Sequence, residues 1–272
     1  MCDEDQNPHR KYRLCMADIE VTRDGGIATV TINRPARKNA VTGDMWAQLA
    51  EIFRSIAADT EVRCVVITGA GGEFCSGADL SAREGARPVH QLVAMRHVND
   101  AALSLHRMPQ PTIAKVRGVA VGAGCNMALG CDLVVAGDTA RFSEIFSKRG
   151  LSVDFGGTWL LPRRVGMHRA KELAFFADII SAADARELGL VNRVLPDAEL
   201  DAFVDGWAKR LAAGPPIALS LTKRMLNNSL NVTMEEALDD EGAAQTVNFG
   251  TKDTMEAMRA FIEKRDPQFK GH

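Results

Sequence analysis

The 272-residue chain has no excess of either charge: 33 Lys and Arg stand against 35 Asp and Glu, a formal net charge of -2. No basic surplus is available to neutralise nucleic-acid phosphates, although a local basic patch can still hold a small anionic ligand. Nowhere does an apolar run approach the ~18 residues of a membrane span. The N-terminal MCDEDQNPHRKYR is acidic, then basic, and lacks the apolar centre of a secretory signal, so a cytoplasmic location is expected. Cysteine is scarce and scattered (Cys2, Cys15, Cys64, Cys75, Cys125, Cys131). There is no C-x-x-C pair, and Cys125 and Cys131 have no nearby histidine, so buried free thiols are expected rather than disulfides or a metal site. Linkers and low-complexity segments are missing too. What remains is 46% apolar, 25% charged and 6% aromatic, the composition of a soluble globular protein. It is long enough for one large domain, or a domain with an appendage.

The hydrophobic pattern predicts an α/β architecture. Residues 1–16 read as a flexible leader. Ile19–Thr22 and Ala28–Ile32 flank Asp24-Gly25-Gly26, a hairpin signal. Apolar residues at helical spacing predict helices over Gly43–Ala57 and Val89–Arg107. Cys64–Thr68 is a continuous apolar run of strand length, consistent with a strand covered on both faces. Thr112–Val116 and Asp132–Ala136 read as strands around a helix at Gly122–Leu129, which implies a largely parallel sheet. Beyond Pro162 helices dominate, at Arg169–Phe176, Ala183–Leu188, Leu200–Ala212, Ile217–Leu230, Met234–Asn248 and Thr251–Glu263, with only Leu190–Val194 strand-like. The expected organisation is a core over 17–196 and a helical oligomerisation section over 197–272.

Three segments carry the chemistry. Asp154 lies in GLSVDFGGTWLL, just before a glycine pair. FCSGADL (Phe74–Leu80) and GVAVGAGCNMALGCDL (Gly118–Leu133) are rich in small residues, which let backbone amides approach a ligand. One acid set against two such turns points to acid/base chemistry on a carbonyl compound.

With NRPARKNAV (Asn33–Val41), GAGGEFCSGADL (Gly69–Leu80) and GLSVDFGGTWLLPRRVG (Gly150–Gly166), the segments from about Asp18 to Phe269 resemble the crotonase (enoyl-CoA hydratase/isomerase) superfamily. The resemblance implies a crotonase-like spiral of β-β-α units and an acyl-CoA thioester substrate. It implies no separate cofactor, coenzyme A being part of the substrate, and a homotrimer or homohexamer. The backbone amides of Ala78 and Ala123 would form the oxyanion hole, each such donor stabilising the transition state by roughly 3 kcal/mol. Arg37, Lys38, Ala40, Asp79 and Leu80 would border the coenzyme, and Phe261 and Lys264 would reach the nucleotide of a neighbouring subunit.

Hydratases of this family hold water between two glutamates, at positions that here read Asn126 and Phe146. Phe146 would exclude that water, and Asn126 either orients substrate or packs within its helix. Glu144 lies two residues early, which on a helix turns it roughly 200° away at about 100° per residue, so it reads as structural or solvated. The Asp154 setting resembles that of ring-modified phenylacetyl-CoA isomerases, and dienoyl-CoA isomerases also carry an aspartate there. A single carboxylate suffices to move a proton in a double-bond shift, with Phe146 and Phe155 making its pocket apolar. The competing role for Asp154 is a turn or helix-capping aspartate. His90, His97, His106 and His168 read as surface or packing residues, with His90 or His97 able to line the acyl pocket. Double-bond isomerisation is therefore the leading expectation. Hydration with nonstandard water activation, nucleophilic displacement at Asp154 and acyl-CoA or RNA binding without turnover are its alternatives.

Overall fold

The computed structural model describes residues 13–16, 18–81 and 90–272. Its strands are β1 (Arg13–Met16), β2 (Ile19–Asp24), β3 (Ile27–Ile32), β4 (Cys64–Gly69) and β5 (Thr112–Val116). They continue as β6 (Val119–Val121), β7 (Leu133–Gly137), β8 (Arg141–Ser143), β9 (Ile180–Ser181) and β10 (Arg193–Leu195). The helices are α1 (Gly43–Ala58), α2 (Gln91–His106), α3 (Ala123–Gly130), α4 (Gly157–Phe176) and α5 (Ala182–Glu187). After them come α6 (Asp197–Ala212), α7 (Pro216–Asn228), α8 (Met234–Phe249) and α9 (Lys252–Glu263). No described helix is long and apolar enough to cross a membrane.

Seven strands form the main sheet in the order β1-β2-β3-β4-β5-β7-β10, antiparallel through β3 and parallel thereafter. Asp24 pairs with Ile27 across Gly25-Gly26, both at positive φ, which closes the expected hairpin. The apolar run of β4 has the predicted cause. Val65 and Ile67 face the larger core with α1 and α3, while Cys64 and Val66 face Leu200, Val204 and Ala208 of α6. The helical section expected from 197 thus begins with a helix that is a layer of the sheet core. Cys64, Cys75, Cys125 and Cys131 are buried and free; burial pushes Cys64, Cys75 and Cys131 up to about 12.

Several expectations need correction. Arg13–Met16, assigned to the flexible leader, is a strand paired with β2; residues 1–12 lie outside the described residues, as does Val89 at the expected start of α2. The strand expected at Leu190–Val194 is Arg193–Leu195. The helix expected from Arg169 starts at Gly157, runs through Pro162 and kinks at Gly166, where φ is 76°. A second sheet, β6-β8-β9, was not anticipated, because strands of two or three residues carry no readable period.

Two long-range ties matter below. Asp132, at the end of the GCDL motif, accepts from the Thr112 N–H at 2.7 Å and pairs with Lys223 of α7 at 2.7 Å. Near the end of the chain, Arg63 donates to the Phe269 carbonyl at 2.7 Å, and Asp253 accepts the backbone N–H groups of Lys270 and Gly271.

Candidate active site

Two small-residue turns meet side by side. The Cys75 N–H donates to the Val119 carbonyl and the Val121 N–H to the Cys75 carbonyl, both at 2.9 Å, and Cys75 pairs in parallel with Ala120. Ala78 and Ala123 follow these paired residues at the same offset. On its other side Ala78 is bridged by Val41, whose N–H and carbonyl bond Gly77 and Asp79 at 2.8 Å. The Ala78 N–H is left pointing away. Ala123 opens α3, where an amide has no intrahelical partner. Among the described residues neither amide donates to a protein group. A Cβ built on Gly77 would lie 3.6 Å from the Ala123 nitrogen, so the two uncommitted donors are neighbours.

Asp154 enters through the turn before α4. Phe155 and Gly156 are both left-handed, at φ 50° and 79°, and the N-cap of α4 is Gly156 without a side-chain cap. Asp154 therefore does not cap the helix. Its Oδ1 is buried without a partner, and burial pushes its carboxyl up to about 6. The backbone carbonyl is held instead, by the Gly157 N–H at 3.0 Å and by Asn126 Nδ2 at 2.9 Å.

Asn126 is fully buried and its Nδ2 also donates to Glu144 Oε2 at 3.2 Å. Of the two expectations for Glu144, structural or solvated, the structural one holds and the solvated one does not, and the residue is not turned away on a helix. The residue follows β8 outside any helix, is buried, and contacts Asn126. Burial, reinforced by the charge of Asp154, pushes its carboxyl up to about 7. Phe146 packs at the turn before α3, its ring 3.6 Å from a Cβ built on Gly122. Phe155 is buried against Trp46, ring centroids 5.3 Å apart.

A Cβ on Gly157 would collide with the Asn126 side chain and with Val153. Gly157→Ala should therefore destabilise the fold by ~1–3 kcal/mol through overpacking, with turnover falling more than substrate affinity. Thermal melting and steady-state kinetics check this, and a wild-type rate would contradict it.

A cavity of about 840 Å³ lies between α2, α4 and α7, lined by Ala102, His106, Phe155, Trp159, Leu160 and Lys223 among others. Phe155 lines it, whereas Asp154, Ala78 and Ala123 do not. The histidine it receives is His106, not His90 or His97: His90 accepts the Leu92 N–H at the start of α2, and His97 is exposed. Burial first, then the Lys223 charge, lowers the His106 pKa, and its ring meets Trp159 edge-on at 5.2 Å. The signal was present, since Asn99, Ala102, Leu103 and His106 share one helical stripe.

The expected coenzyme-binding residues gather in part. Arg34, not singled out from the sequence, joins two of the loops. It donates to the Ala40 carbonyl at 2.6 Å and to Asp79 at 2.9 Å. Hydrogen bonds from Ser81, then Arg34, hold the Asp79 carboxyl below its usual range. Lys38 pairs with Glu73 at 3.1 Å, Arg37 is exposed, and Leu80 is half-exposed nearby. Phe261 and Lys264 lie at the exposed end of α9, with no described side-chain bond to the Asp154 cluster.

The sequence pattern of the enoyl-CoA hydratase/isomerase family matches residues 22–272. The chain belongs to this family, within the crotonase superfamily. It is 40% identical to 1,2-epoxyphenylacetyl-CoA isomerase of Escherichia coli K12 over 250 residues, 90% of this chain and 95% of that protein. It is 36% identical to short-chain-enoyl-CoA hydratase of Clostridium acetobutylicum, covering 91% of this chain and 95% of that one. The crystal structure of enoyl-CoA hydratase from Bacillus anthracis superposes with a TM-score of 0.90 at 33% identity, covering 94% of this chain and all of that one. Hydratase and isomerase names thus both occur among its relatives, and the chain is an acyl-CoA enzyme of this family.

Proposed function

We propose that the protein is an acyl-CoA double-bond isomerase with Asp154 as its proton shuttle. The observation that carries this reading is the half-buried Asp154 carboxyl, whose Oδ1 is buried without a partner, one residue before Phe155 of the cavity lining. The thioester oxygen would accept the Ala78 and Ala123 amides. The Asp154 carboxylate takes a proton from the carbon beside the thioester of a 3-enoyl-CoA, and the electron pair passes to the thioester oxygen as a dienolate. The resulting carboxylic acid returns the proton to the far end of the dienolate, giving the 2-enoyl thioester and restoring the carboxylate. Phe146 at the oxyanion turn would keep water from adding to that product. No step uses a metal or a separate cofactor. Incubation with 3-hexenoyl-CoA tests this; absence of the conjugated 2-enoyl thioester would remove simple 3-enoyl isomerisation.

Hydration is the second reading, supported by relatives named as hydratases, and is scored by adding water to crotonyl-CoA. Arg37, Lys38, Ala40, Asp79 and Leu80 would border the coenzyme in either case. Because the base must be ionised and its pKa lies at about 6, kcat/KM should rise tenfold per pH unit below that value and level off above it. A pH–rate profile flat from 5 to 8 would contradict this, those limits being roughly one to two units around the inflection.

Exposed Leu230, Met234, Leu238, Phe249, Met258 and Phe261 on and around α8 and α9 form an apolar surface of the sort further copies cover. A homotrimer or homohexamer would bring Phe261 and Lys264 to a neighbour's nucleotide. Sedimentation at monomer mass would rule that out. A cytoplasmic location is part of this reading; no described helix is long and apolar enough to cross a membrane.

A further inference from the structure

Glu144 is a buried carboxyl that the proton shuttle does not use. It is 3% exposed, so substrate does not reach it. It borders a small cavity of about 10 Å³ with Phe142, Leu161, Leu173, Ile180 and Leu190, on the core side of α3. Burying a carboxyl among such neighbours is costly unless it is hydrogen-bonded; Glu144 Oε2 accepts from Asn126 Nδ2 at 3.2 Å, while Oε1 is buried without a partner. The Asn126 amide has a fixed orientation, because its nitrogen faces two oxygens, Glu144 Oε2 and the Asp154 carbonyl. One nitrogen thus spans from the core to the turn that presents the base.

We propose that Glu144 is a positioning residue that, through Asn126, locks the Asp154–Gly156 turn so that the Asp154 carboxylate is aimed at the substrate. This deepens the proton-shuttle reading and rests on it. The turn is worth locking: two consecutive left-handed residues leave the Asp154 peptide with few restraints of its own, and its carbonyl is the point at which both Asn126 and Gly157 hold it. Among the described neighbours of Glu144 the titratable groups are Cys125 and Asp154. The charge of Asp154 adds to the burial that raises the Glu144 carboxyl, whereas burial alone raises Asp154.

The test follows the Asp154 carboxyl by carbon NMR across pH, its signal assigned by its loss in Asp154→Asn, alongside turnover of 3-hexenoyl-CoA. In the wild type the signal should move in one step. Glu144→Gln keeps an acceptor for Asn126, so kcat should stay within about threefold and that step should be unchanged. Glu144→Leu removes the acceptor, and kcat should fall roughly tenfold or more with KM within about twofold; the glutamine variant is the rescue. If Glu144→Leu does not fold, the glutamine variant decides alone, and a kcat lowered tenfold or more despite its retained acceptor overturns the proposal. Wild-type kcat in both Glu144 variants, with Asp154→Asn inactive, overturns the positioning role and leaves the shuttle standing. Turnover surviving in Asp154→Asn overturns the shuttle, and the positioning role with it.

Discussion

Asp154→Asn should lower the rate of double-bond migration about 10²–10⁴-fold, the range expected for loss of a positioned general base, with KM little changed. The substitution is nearly isosteric, and the turn that carries it is held through the backbone carbonyl of residue 154 rather than through the side chain. Geometry should therefore survive while proton acceptance is lost. Coenzyme affinity is the control, because none of the residues proposed to border the coenzyme bonds to Asp154. A variant within tenfold of wild type would sink the proton-shuttle reading. Single turnover in ¹⁸O-labelled water separates the remaining chemistry: label appearing in the Asp154 carboxylate would identify nucleophilic displacement instead.

The second large effect concerns the fold. Asp132→Ala should destabilise the protein by ~3–5 kcal/mol, because it leaves a buried cation without its partner. Lys223 is 9% exposed and would keep only the Gln110 carbonyl, at 2.9 Å. The Thr112 N–H and hydroxyl would lose their shared acceptor as well. At about 2–4 °C per kcal/mol for a chain of this size, the melting temperature should drop by roughly 6–20 °C. Pairing the change with Lys223→Met should recover part of the loss, because the stranded charge goes with it. A single variant melting with the wild type would show that the pair contributes nothing.

Which parts of this could be read from the sequence follows from the range of the forces involved. β4 and α1 were legible because burial stamps a period on neighbouring residues: alternate sides of the sheet for Cys64–Ile67, and helical spacing for Met45, Leu49, Ile52, Phe53 and Ile56. Pro162 hid the first half of α4, since a proline signals a boundary from sequence yet here sits within the helix, and the true break is the left-handed Gly166. Asp154 and the two small-residue turns were legible as motifs. The meeting of the two turns was implied by the family resemblance and not by spacing, because it rests on the parallel pairing of Cys75 with Ala120, residues far apart in the chain. Glu144 was misread for a related reason. Counting along a presumed helix fails where the chain leaves a short strand, and its partner Asn126 arrives from a different element. His106 needed only the stripe of α2 to be carried one turn further.

The latch between Arg63 and the Phe269 carbonyl joins residues 206 positions apart, and it bears on the order in which the molecule is built. During synthesis β4 can pair with its neighbours long before residue 269 leaves the ribosome. Asp253 likewise waits for Lys270 and Gly271 before its carboxylate oxygens are satisfied. The sheet thus matures first, and α9 acquires its fixed seat only after residues 269–271 have emerged. Phe261 and Lys264 lie on and just after that helix, so a nascent chain holds Asp154 in its turn before these two residues take their places.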